Sequence, residues 1–145
     1  TGIRNYAHVA QMQGIVAADN ICGVNSVMDY SAVPQCTFSD PEVASVGLTE
    51  DKAKDRGFEI KISKFPFAAL GKSVVSSYTE GFVKIIADRN TDKIIGCHII
   101  GENASISIAE ATLAIRNGLT SKDLSKTIHA HPTLPEALWE AARMI

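Results

Sequence analysis

Apolar residues along this chain follow two rhythms. In two central stretches they alternate with a period of two. Val83, Ile85 and Ala87 share one side of 82–88, and Ile95, Cys97 and Ile99 share one side of 94–101. That alternation marks half-buried strands. The polar run Arg89-Asn90-Thr91-Asp92 between them marks a hairpin turn. Shorter β-like runs occupy 33–38 and 43–48, split by the turn Ser39-Asp40-Pro41-Glu42, and 59–65 reads as another strand.

Elsewhere the spacing is helical. Ala7, Ala10, Met12, Ile15 and Val16 form a loose stripe over 6–19, which Gly14 weakens by about 1 kcal/mol relative to alanine. Residues 22–31 are polar and irregular. Thr49 supplies an N-cap oxygen, and Glu50 and Asp51 suit the positive end of a helix that stops at Gly57. The span 104–117 is apolar on most sides (Ile106, Ile108, Ala111, Leu113, Ala114, Ile115), so this helix is expected to be buried or to sit at an interface, with Gly118 ending it. Helices are also expected at 121–126 and 133–144. Strands joined by hairpins, with helices in separate runs, predict an α+β fold in which helices pack on a mainly antiparallel sheet.

Composition narrows the function classes. The 145 residues suffice for one domain with a proper core. Lys and Arg number 14 against 16 acidic residues, a net charge of −2 with no basic run. Nucleic acid and anionic membrane are therefore poor partners. No apolar stretch approaches the roughly 20 residues of a membrane span. Cys22, Cys36 and Cys97 are widely spaced and form neither a Cys-x-x-Cys pair nor a zinc pattern. They read as reduced, buried thiols.

The chemistry concentrates in His129-Ala130-His131-Pro132-Thr133-Leu134-Pro135-Glu136. His131 stands beside a backbone-fixing proline and five residues before a carboxylate, which suits a general base and the group that orients it. A lone histidine near a helix start is, however, more often structural. Glu136 has its own bland reading, because Thr133-x-x-Glu136 spells a capping box that would occupy the carboxylate with backbone amides. The two roles can coexist, since a carboxylate accepts several hydrogen bonds. His129 and His131 could also face one side of an extended segment and bind a metal, but no third ligand is evident, and no metal is expected. Leu134, Leu138 and Trp139 read as core. Glu110, on an otherwise apolar helix, is a candidate for a paired structural carboxylate.

Taken together, these residues resemble the C-terminal interface (dimerisation) domain of the pyridine nucleotide–disulfide oxidoreductases, and within that family its dihydrolipoamide dehydrogenase branch. The likeness rests on Val33-Pro34 leading to Thr37, on Pro41-Glu42-Val43-Ala44-Ser45-Val46-Gly47-Leu48-Thr49-Glu50, and on Gly81-Phe82-Val83-Lys84-Ile85. It also rests on Ile95-Gly96-Cys97-His98-Ile99-Ile100-Gly101 and on His129-Ala130-His131-Pro132-Thr133-Leu134. It covers essentially the whole chain. Pro135 and Ile106 depart from the residues usual there, serine and glutamate.

The resemblance implies a homodimer in which His131 reaches into the partner subunit's active site. There it would act as base on a dihydrolipoamide thiol while Glu136 holds its ring. The thiolate would attack a redox disulfide, and electrons would pass through FAD to NAD. Tyr6, Ala7 and His8 resemble the helix start that faces the flavin, as a cofactor-binding element. Residues 1–30 would then be the tail of the FAD-binding domain and 31–145 the interface domain. The implied partners are lipoyl groups of 2-oxoacid dehydrogenase or glycine cleavage complexes, in the cytoplasm of a bacterium or in the mitochondrial matrix or plastid of a eukaryote. The dinucleotide loop and the redox cysteine pair are not in these 145 residues, so the stretch is expected to be an inactive fragment by itself. A glutathione reductase-like enzyme, or a dimerisation module without chemistry, is the alternative.

Overall fold

A computed structural model describes residues 2–145. Its centre is a five-stranded antiparallel sheet of β1 (Gln35–Thr37), β2 (Glu42–Gly47), β3 (Ile60–Pro66), β4 (Phe82–Asp88) and β5 (Ile94–Gly101). The spatial order is β1-β2-β5-β4-β3. Six helices accompany it: α1 (Ala7–Ile21), α2 (Glu50–Asp55), α3 (Gly71–Ser76), α4 (Ala104–Arg116), α5 (Ser121–Lys126) and α6 (Glu136–Arg143). This is the α+β fold expected from the sequence.

One face of the sheet makes the main core. Cross-strand register sets Ala44 opposite Ile99, Val46 opposite Cys97, Val83 opposite Ile99 and Ile85 opposite Cys97. Residues paired across a ladder point to the same side, so these rows form one apolar surface. Helix α4 covers it over β2 and β5, and α6 covers it over β3 and β4. Ile108 and Ala111 of α4 and Leu138 and Ala141 of α6 are buried in that layer. Each large side chain fully buried there contributes about 1.5–3 kcal/mol. On the opposite face Ala53 of α2 and Ile86 are buried. At the crossing from β2 to α2, Leu48 donates to the Ile95 carbonyl at 2.8 Å. A Cβ at Gly96 would collide with the Leu48 carbonyl, which is why glycine stands there.

Several sequence expectations shift for identifiable reasons. The run at 94–101 does not alternate throughout, because a bulge interrupts the β4–β5 register at Ile86 and Ala87. Ile94 rather than Ile95 therefore joins the core. The stripe expected on α1 does not face inward: Met12 and Ile15 are exposed and only Val9 is buried. The inner side is set by Val9 and Gln13, whose amide donates to the Tyr30 hydroxyl at 2.8 Å. Cys97 is buried, but Cys36 is half-buried and Cys22, at the end of α1, is exposed, so the expectation of three buried thiols fails for Cys22. Helix α4 hides Ala104, Ser107, Ile108, Ala111 and Ala114 while Ile106 and Leu113 stay exposed. Ile106 and Leu113 leave apolar surface on its outer face. Finally, a 3₁₀ turn at Phe67–Ala69 and α3 follow β3, where no element was expected.

Candidate active site

The site is the segment 127–135 between α5 and α6. Three features hold its ends. The Thr120–Asp123 capping box starts α5. The Trp139 indole donates to the Ser125 carbonyl at 2.9 Å, joining α6 to the end of α5. Leu138 is fully buried beneath the sheet-facing side of α6. The segment therefore leaves one fixed helix and enters another. The His131–Pro132 peptide is cis.

His131 and Glu136 come together as their spacing suggested. His131 Nδ1 lies 2.8 Å from Glu136 Oε1. The other carboxylate oxygen, Oε2, accepts from the Thr133 amide at 2.7 Å. Glu136 thus serves both of its expected partners. The capping box itself is only half formed: the Thr133 hydroxyl donates to the Ala130 carbonyl at 2.6 Å, and the N-cap position is Pro135, without a side-chain cap. Helix α6 consequently begins at Glu136, not at 133. The Thr133 amide, the largest influence, holds the Glu136 carboxyl below its ordinary value; burial opposes it, and the His131 ring adds to the lowering.

An ionised Glu136 can only accept, so His131 Nδ1 carries the hydrogen and Nε2 keeps its lone pair in the neutral ring. The side chain is 76% exposed while that of Glu136 is 14% exposed. The arrangement is a largely covered carboxylate anchoring an outward-facing imidazole, and it can accept a proton at Nε2 and stabilise the imidazolium that results.

His129 points elsewhere. Its side chain is 7% exposed, with Nε2 2.8 Å from Glu110 Oε1 and Nδ1 3.0 Å from the Thr127 carbonyl. Both ring nitrogens are engaged, which removes His129 as a metal ligand in this arrangement. Sequence reasoning noticed Glu110 without finding its partner. The signal was there in an acid set into an apolar helix and an unassigned histidine.

Tyr6, Ala7 and His8 lie in a different place. Tyr6 is the extended N-cap of α1, with no side-chain cap and no acid in the first turn. Its ring stacks on that of His8 at 5.3 Å, and His8 Nε2 lies 3.0 Å from the Pro34 carbonyl. They border a cavity of about 410 Å³ shared with Pro34, Cys36 and α4. A separate hollow of about 280 Å³ adjoins His129, Glu136 and Trp139.

Residues 33–142 match the dimerisation domain of the pyridine nucleotide-disulphide oxidoreductases. The chain belongs to this family. It is 51% identical over 137 residues to a dihydrolipoyl dehydrogenase of Bacillus subtilis (strain 168), covering 94% of this chain and 29% of the relative. It is 51% identical over 142 residues to the dihydrolipoyl dehydrogenase of Chlamydia muridarum, covering 98% and 30%. The chain thus spans under a third of the length of these curated relatives. The crystal structure of LpdA from Mycobacterium tuberculosis superposes with a TM-score of 0.93 at 30% identity, covering 99% of this chain and 32% of that one. The HOCl-induced flavoprotein disulfide reductase RclA from Escherichia coli shares the fold, with a TM-score of 0.93 at 24% identity over 100% of this chain and 34% of its own. Among pyridine nucleotide-disulphide oxidoreductases, then, the curated relatives carry the name of the branch that the sequence resembles.

Proposed function

We propose that this chain is the C-terminal part of a dihydrolipoyl dehydrogenase, supplying its dimer interface and the acid/base pair His131–Glu136. One observation carries the reading. A single carboxylate, seated on the Thr133 amide, holds His131 by Nδ1 and leaves Nε2 facing outward. Nε2 would take the proton of a dihydrolipoamide thiol, because the thiolate and not the thiol is the nucleophile toward a disulfide. Glu136 would stabilise the imidazolium formed. A positioned base of this kind is worth about 10²–10⁴ in rate.

FAD and NAD would supply the electron path from the dithiol. The start of α1 fits a role beside the flavin: its amides have no side-chain cap and no acid competes for them. Tyr6, Ala7 and His8 are the residues at that start. The family match beginning at residue 33 supports a boundary near residue 30, with 1–30 as the end of the FAD-binding domain and 31–145 as the interface domain.

The exposed Ile106 and Leu113 of α4 and the 97% exposed Ile128 support a second copy as the partner that covers them. The remaining partners in this reading are lipoyl groups of 2-oxoacid dehydrogenase or glycine cleavage complexes. No helix among the described residues is long and apolar enough to cross a membrane. The compartment proposed is the cytoplasm in a bacterium, or the mitochondrial matrix or a plastid in a eukaryote.

The test uses the intact parent protein. NAD-dependent oxidation of dihydrolipoamide is measured beside NADPH-dependent reduction of glutathione disulfide. Activity in the first assay alone is expected. Activity in the second alone would move the protein to a glutathione reductase-like role, and activity in neither would leave only an interface domain.

A further inference from the structure

His129 stands two residues from the base, and its surroundings suggest a purpose beyond filling space. The Thr127 carbonyl can only accept, so Nδ1 donates to it. Nε2 then shares a proton with Glu110 Oε1 across 2.8 Å. The ring is thus held from both edges, by its own loop and by α4, nineteen residues earlier in the chain.

Helix α4 is itself anchored. Ala111 and Ala114 are buried against the sheet, and the Ser105 amide at its start donates to Glu42 Oε2 from β2 at 2.8 Å. Glu110 is therefore a fixed point from which the 127–135 segment hangs. From His129 the chain reaches His131 in two residues, a span of at most about 7 Å. The Ala130 carbonyl between them accepts from the Thr133 hydroxyl. Glu136 closes the remaining side by holding both the Thr133 amide and the His131 ring.

A partly buried histidine–carboxylate pair is a weak source of stability, since apolar side chains of similar volume do as well. Its distinctive capacity is to specify one geometry, and the geometry specified here is that of the loop carrying the base. We propose that Glu110 and His129 form a positioning pair that fixes the height and direction of His131 over the reacting thiol. Neither residue touches substrate in this assignment. The proposal rests on the reading of His131 as the base.

The test is a double-mutant cycle in the intact, FAD-loaded parent enzyme, joining Glu110→Gln to His131→Gln. Two activities are read: dihydrolipoamide oxidation, which needs the base, and NADH oxidation by an artificial dye, which reaches the flavin without a thiol. Glu110→Gln is expected to lower kcat for dihydrolipoamide about tenfold, within the 10²-fold that an ångström of misplacement can cost. The dye reaction should stay at the wild-type rate. In the His131→Gln background, Glu110→Gln should cost nothing more, because a positioning residue acts only through what it positions.

An equal further loss in that background, or a parallel loss in the dye reaction, would show a merely structural pair and overturn the proposal. An unchanged kcat in Glu110→Gln would overturn it too. His129→Asn provides a second route through the same cycle, and failure of both variants to fold and retain flavin would likewise assign the pair to stability. Wild-type turnover in His131→Gln alone would instead sink the reading of the base, which separates the two failures.

Discussion

Two histidine–glutamate pairs sit two residues apart, at the same 2.8 Å separation, and differ in almost everything else. His131–Glu136 joins neighbours five residues apart, with an exposed ring over a largely buried acid. His129–Glu110 joins residues nineteen apart, with a buried ring against a half-exposed acid. The first ring spends one nitrogen on its carboxylate and keeps the other. The second spends both. On the proposed reading, identical side chains at identical distance would provide a base in one case and a tether in the other, and solvent access to the second nitrogen would separate the roles.

The largest effect that would break this contrast is at the exposed ring. Replacing His131 with Gln in the intact enzyme should lower dihydrolipoamide oxidation by about 10²–10⁴. Flavin content should be unchanged by absorbance. Near-normal steady-state turnover would erase the distinction between the two pairs. Glu136→Gln removes the charge but keeps the shape. Losing one hydrogen bond to a charged group is worth about 1.5–3 kcal/mol, or about 10–100-fold in kcat/KM. A smaller loss would mean that the loop, not the carboxylate, sets the ring. The about tenfold effect expected of Glu110→Gln comes next.

The smallest effect is on stability. The Glu136 carboxyl is held below its ordinary value near 4.5, first by the Thr133 amide and then by His131. A carboxyl lowered in the folded state contributes stability that is complete above the ordinary value and is lost as pH falls through the lowered one. The difference in unfolding midpoint between wild type and Glu136→Gln should therefore narrow as pH falls from neutral through the carboxyl's lowered range. A gap that widens on acidification would show that the carboxyl is not stabilised in its charged form.

How far the sequence carried each pair follows from the range of the forces involved. The exposed pair was legible because five residues and a proline confine it locally. The strands β4 and β5 were legible for the same reason, as alternation is a short-range signal, and so was the cap at Thr49, whose side chain accepts from the Lys52 amide. The His129–Glu110 contact was not legible. It depends on where α4 lies on the sheet, which no local pattern encodes. The bulge that exchanges Ile95 for Ile94 is likewise set by the partner strand. The 3₁₀ turn and α3 were missed because both are short, and the 3₁₀ turn depends on burial of Phe67, 1% exposed. For α1 the apolar stripe misled, since its inner side is chosen by Val9 and by the polar contact of Gln13 with Tyr30.

The most direct test asks whether His131 serves as base in the partner subunit's site. Subunits carrying His131→Gln are mixed with subunits whose redox cysteines are replaced, and the mixed dimers are isolated. Neither parent dimer should oxidise dihydrolipoamide at more than about 1% of the wild-type rate. If His131 acts across the interface, each mixed dimer contains one site with both intact cysteines and an intact base, and activity should reappear at half the wild-type level. Mixed dimers as inactive as their parents would contradict that role.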